Sequence, residues 1–163
     1  MRHLAITLLF LSLAARAFAG PEEDYKEASA ASFRGDYETA LRLFRSAANV
    51  GHAGAQFSLG EACRHGFGVE KNDVEAVKWH RLAADQGHAW GQHSLGLIYA
   101  TGSVTVPQDL VAALMWLDLA AVNSPLPGLM IPVRDIVARM MTAEQIAEAR
   151  KRAREWKPTK LFK

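Results

Sequence analysis

Two groups of residues in this sequence have types that carry chemistry in other proteins. His93-Ser94-x-Gly96 sets a hydroxyl between an imidazole and a glycine, the surroundings of an acyl-transfer nucleophile. Such a serine needs a strained strand-to-helix turn and a glycine two residues before it, whereas position 92 is Gln and the neighbouring apolar residues recur at helical spacing. Ser58-Leu59-Gly60 repeats the Ser94-Leu95-Gly96 string without a histidine, so this serine is expected to be architectural. The second group is five histidines, His52, His65, His80, His88 and His93, within 42 residues. A metal wants imidazoles at i,i+4 or on facing helices with carboxylates behind them, and no pair here is four apart. No metal, no cofactor and no catalytic residue are expected, so the chain reads as a non-enzyme. Cys63 is the sole cysteine and is expected to be a small buried hydrophobe, with an intermolecular disulfide as the alternative.

The elements that must position these residues begin after an N-terminal leader. Met1-Arg2-His3 is basic, Leu4 to Ala15 is an apolar run of 12 residues, and Ala17-Phe18-Ala19 gives small-x-small before Gly20. That order reads as a secretory signal peptide over 1–19, cleaved after Ala19, and the run is short of the roughly 20 residues that span hydrocarbon. The expectation is an exported protein, periplasmic or secreted, with no integral membrane segment after cleavage. Loss of Arg2 and Arg16 leaves 17 basic residues against 17 acidic ones. A neutral chain lacks the excess of cations that nucleic-acid binding requires.

The remaining 20–163 reads as one domain built on a repeat. Gly51-His52-Ala53 returns as Gly87-His88-Ala89, Ser58-Leu59-Gly60 as Ser94-Leu95-Gly96, Gly66 as Gly102 and Asp73 as Asp109, every time at an offset of 36. The next copy slips by one, with Trp79 meeting Trp116 at 37. A period of this size reads as stacked helix pairs. Residues 53 to 65 and 89 to 101 are expected as first helices, 73 to 86 and 109 to 122 as second helices. Gly60 and Gly96 fall inside first helices, where Gly costs about 1 kcal/mol relative to Ala, so close packing is expected to require them. The expected counterface is the small-residue face of Ala76, Ala83, Ala84 and their counterparts in the next unit, with Trp79 and Trp116 filling the space between pairs.

From Ala53 to Gly87, the set Leu59-Gly60, Gly66-x-Gly68-Val69, Asp73, Ala76-x-x-Trp79, Ala83-Ala84 and Gly87 resembles a Sel1-like repeat, and Ala89 to Ala121 is similar, with Leu95-Gly96, Tyr99, Gly102 and Met115-Trp116. Tyr25 to Gly51 is closer to a tetratricopeptide unit, through Gly35-Asp36-Tyr37, Ala40, Phe44 and Ala47. The units are therefore 21–52, 53–88 and 89–124, followed by a connector and capping helices at 125–163. The resemblance, to exported bacterial members of the family, implies an all-α solenoid that scaffolds protein complexes, with first helices lining a concave groove. It implies exposure of Tyr25, Phe57 and His93 at one register of that groove, with Glu61, Arg64, His65, Trp90 and Leu97 around them, a surface suited to peptide capture. Some cysteine-rich members are associated with penicillin binding and weak hydrolysis. That sets the alternative of a cell-wall protein binding or hydrolysing peptidoglycan or a β-lactam, although those members carry paired cysteines that this chain lacks.

After Asn123-Ser124-Pro125-Leu126-Pro127-Gly128, the pattern Val133, Ile136, Val137, Met140 predicts one helix, and Thr142 with Gln145 caps a second bearing Ile146, Ala149, Ala153 and Trp156. Both are expected to cover the open end of the stack. Arg150 to Lys163 holds seven basic residues against Glu155, a solvated face or a handle for an anionic partner. Export has a direct check. Protein recovered outside the cytoplasm should begin at Gly20 on N-terminal sequencing, and a chain that retains Leu4 to Ala15 would contradict cleavage.

Overall fold

A 13-residue segment makes fewer than four helical turns and holds little helix alone in water, so each segment folds only against neighbours that cover its apolar face. The structure, a computed structural model, describes residues 20–159. The signal-peptide reading of 1–19 therefore lies outside the described residues. The helices are α1 (Pro21–Phe33), α2 (Tyr37–Asn49), α3 (Ala53–His65), α4 (Asp73–Asp85), α5 (Ala89–Thr101), α6 (Leu110–Asn123), α7 (Pro127–Arg139) and α8 (Ala143–Glu155). No strand occurs among the described residues, and successive helices from α1 to α7 pack on one another as an α-solenoid.

Polar side chains start six of the eight described helices, α1 and α7 opening instead on a proline. Asp36, Asn72 and Asp109 accept the backbone N–H of Thr39, Glu75 and Ala112, and Thr142 forms the expected capping box with Gln145. Two starts are unusual in using imidazole: His52 Nδ1 accepts from Ala55 N and His88 Nδ1 from Gly91 N, both at 3.1 Å. Each follows a glycine in the left-handed region, Gly51 at φ +90° and Gly87 at φ +85°, which turns the chain from one pair into the next.

The pairs are joined by a buried amide that repeats with the sequence. Gln56 Nε2 donates to the Ala48 carbonyl at 3.2 Å, and Gln92 Nε2 to the Ala84 carbonyl at 3.1 Å. Their carbonyl oxygens accept in turn from Gln86 at 2.7 Å and Asn123 at 2.9 Å. One glutamine at the head of a first helix thus ties the end of the preceding second helix to the end of its own partner.

Gly60 and Gly96 are packing residues, Gly60 against His80 in place of the expected alanine face and Gly96 against Leu117 together with Ala113, the counterpart of Ala76. A methyl on Gly60 would stand 2.5 Å from the His80 ring, and one on Gly96 would stand 2.5 Å from Leu117 Cγ and 3.2 Å from the Ala113 carbonyl. Ala83 and Ala84 receive Gly91, whose added methyl would meet Ala83 Cβ at 2.9 Å. Trp116 is fully buried beneath the Arg81 guanidinium, 4.9 Å from its ring centre, and Trp79 is half-buried against the core of the first pair.

The two capping helices part company. α7 packs on α6 at the end of the stack, with Met130 and Val137 buried. α8 also packs on α6, with little contact to α7, through Ala149 against Ala113, Leu114 and Leu117. Beyond its far end Trp156 meets Trp116 of α6 edge-on at 6.2 Å, and Thr159 N reaches back to α4 to donate to the Asp85 carbonyl at 2.6 Å. Both helices therefore cover the last pair, α7 at the end of the stack and α8 along the second helices, where Ile146 and Ala149 join the core around Leu114 and Leu117.

Replacement of Gly96 by Ala should lower stability in urea unfolding by about 1 to 3 kcal/mol, despite the gain of a better helix former. Gly128, with nothing within 4 Å of an added methyl, is the control and should be neutral or slightly stabilised as Ala. A Gly96→Ala protein as stable as the parent would refute the close approach.

Candidate functional site

The first helices α1 and α3 each carry a ring that contacts the imidazole heading the next first helix. Tyr25 on α1 is half-buried and stacks on His52 with centroids 4.5 Å apart, and Phe57 on α3 lies 5.2 Å from His88. These rings are shared between the inter-repeat seam and the surface. His93 on α5 is half-buried and meets Trp90 edge-on at 5.8 Å, and Trp90 keeps 45% of its surface exposed. Arg64 and Leu97 are half-buried, while His65 is exposed.

Glu61 is the electrostatic centre of this face. Its Oε1 accepts from Ser94 Oγ of α5 at 3.0 Å and lies 3.2 Å from His80 Nε2, and its Oε2 lies 3.4 Å from His65 Nε2. Burial pushes the carboxyl up, but His80, Ser94 and Arg64 outweigh that and hold it below the ordinary range. His80 is fully buried over Gly60, with no hydrogen-bond partner for Nδ1. Burial and the Arg64 charge lower His93, against the opposing pull of Glu61. Ser94 is 5% exposed within α5, and its proton is committed to Glu61, so it acts as a tie between first helices. Burial raises the half-buried Cys63 thiol above its ordinary value.

Glu61, Arg64 and His65 of α3 are thus brought together with His93 of α5. Tyr25 is held one seam away, against Phe44 and His52. Sequence reasoning did not select Tyr37 and Phe67, whose rings stack at 5.7 Å, with Phe67 stacked in turn on His65 at 5.5 Å. They border a recess of about 190 Å³ between α2 and α3 that Phe44, Phe57, Ser58 and Glu61 also line. The available signal was Phe67 between two loop glycines, an apolar residue with no helix face to join. Among the described residues, no group of His, Cys, Asp and Glu is arranged to hold a metal ion, and no helix is long and apolar enough to cross a membrane.

A Sel1 repeat model matches residues 31–52, 53–88 and 91–121, more than half of the chain. The protein belongs to the Sel1 repeat family. Sel1 repeat proteins are in general protein-interaction scaffolds, and the fold class is typically non-enzymatic. Among curated proteins, Chitin synthase regulatory factor 2 of Schizosaccharomyces pombe is 34% identical over 85 residues, which cover 52% of this chain and 17% of that protein. A protective antigen of uropathogenic Escherichia coli strains, solved with an SLR fold, superposes with a TM-score of 0.77 at 32% identity, over 83% of this chain and 29% of that one. A Sel1 repeat protein from Oxalobacter formigenes shares the fold, with a TM-score of 0.59 at 22% identity, over 84% of this chain and 71% of that one.

The histidine cap makes stability pH-dependent. Burial, then the charges of His52 and His80, press His88 from 6.5 down to about 4, so the folded chain keeps it neutral where the unfolded chain binds a proton. Its contribution is complete above 6.5 and falls as pH drops from there towards about 4. His88→Asn keeps a capping acceptor but no titrating group, and should flatten the stability-pH curve over that window. Curves for the two proteins that run parallel would contradict this role.

Proposed function

We propose that this Sel1 repeat protein is an exported, non-catalytic scaffold that binds a polypeptide segment across its first helices α1, α3 and α5. The observation that carries the reading is Trp90, 45% exposed and braced edge-on by His93, the imidazole on which the Glu61 and Arg64 charges of the preceding repeat act. A large ring fixed by its neighbours loses little freedom on binding, and such residues anchor interfaces. Charges of both signs on the same face set the orientation of a bound segment and the salt dependence of its capture. The kinship with a regulatory factor supports a binding role. Export rests on the order of residues 1–19.

The test is a selection of phage-displayed peptides on the purified protein, followed by affinities for two variants. Trp90→Ala should weaken the selected peptides about 30-fold, the equivalent of roughly 2 kcal/mol. Val74→Ala, at an exposed position on α4, should leave them unchanged. A folded Trp90→Ala protein that binds within about twofold of the parent, or a selection that yields no binder, would overturn the assignment.

A further inference from the structure

The recess between α2 and α3 has walls of a particular chemistry. Tyr37, Phe44, Phe57 and Phe67 supply aromatic surface, and Glu61 is the one charged side chain among the described residues that line it. Glu61 is held ionised and so can only accept hydrogen bonds, and its side chain keeps 29% of its surface exposed. Ser58 has spent its proton on the Gly54 carbonyl at 3.0 Å and likewise offers lone pairs. An occupant must therefore bring donors and preferably positive charge at one end, and alkyl surface for the rings along its length. Arg64 acts on the same carboxylate from outside this wall. The volume of about 190 Å³ admits one long side chain and no folded element.

We propose that this recess is a binding site for a cationic side chain, lysine or arginine, of the captured polypeptide. The proposal rests on the reading of the first helices as a peptide-binding surface, and it names the residue type that the surface selects. The alkyl stem lies against Phe57 and Phe67, and the charged head meets Glu61. Specificity then resides in α2 and α3, one repeat before the Trp90 anchor.

NMR titration of the purified protein with N-acetyl-arginine amide, N-acetyl-lysine amide and N-acetyl-norleucine amide separates charge from alkyl surface, since norleucine keeps the stem and lacks the cation. The cationic amides should shift resonances of Tyr37, Phe57 and Phe67 and bind at least about fivefold more tightly than norleucine amide. Glu61→Gln should remove that preference. Because Glu61 also contacts His80, Ser58→Leu provides a second route, filling the recess and blocking all three amides while Glu61 keeps its partners. Equal or tighter binding of norleucine amide, shifts confined to Trp90 and His93, or no shift would each overturn the proposal and leave peptide capture at Trp90 standing. Peptide binding that ignores Trp90, with arginine amide still seated in the recess, would instead overturn the broader reading alone.

Discussion

The geometry of this solenoid depends on a buried amide repeated at each of the two junctions between its three units. Gln56 and Gln92 are 3% and 0% exposed, and each bridges two helix ends that belong to different pairs. A buried amide left without partners costs about 1 to 3 kcal/mol, so a pair that slides or rotates against its neighbour is penalised at once. Apolar contact between alanine-rich faces carries no such demand for one register, because small side chains pack tolerably at several offsets. The glutamines convert a sticky stack into one with a fixed spacing.

The interaction face inherits that spacing. With α3 and α5 held at one separation, Glu61 reaches Ser94, and Phe57 reaches the imidazole of His88 while still bordering the recess. His80 takes the place that Phe44 and Leu117 hold in the neighbouring pairs, and its flat ring over Gly60 brings an imidazole up to Glu61 from behind. That imidazole, with Ser94 and Arg64, holds the carboxyl at the centre of the face below its ordinary range against the upward push of burial. Structural and functional roles meet in the same few residues, and Phe57 belongs to both.

Much of this was legible in the sequence, since the repeat at 36, the loop glycines and the capping box are local signals that local physics turns into structure. The glutamines were also visible at that offset, but a polar residue on a helix reads as solvent-facing until the partner carbonyl is placed beside it. The counterface of Gly60 was misjudged because helical periodicity ranks an apolar face above a lone histidine. The position of α8 carries no local signal at all. It follows from Trp156 finding Trp116 and from Thr159 finding Asp85, contacts between residues far apart in the chain. The recess is hidden for the same reason, being assembled from α2, α3 and a loop aromatic.

The claim that the amide relay sets the stack is tested most directly by urea unfolding of Gln92→Met, which keeps side-chain length and removes both hydrogen-bonding groups. The account predicts a loss of about 1 to 3 kcal/mol, because the Ala84 carbonyl and the Asn123 amide lose their shared partner. Stability within about 0.5 kcal/mol of the parent would show that apolar packing alone holds the pairs in register, and would contradict the account.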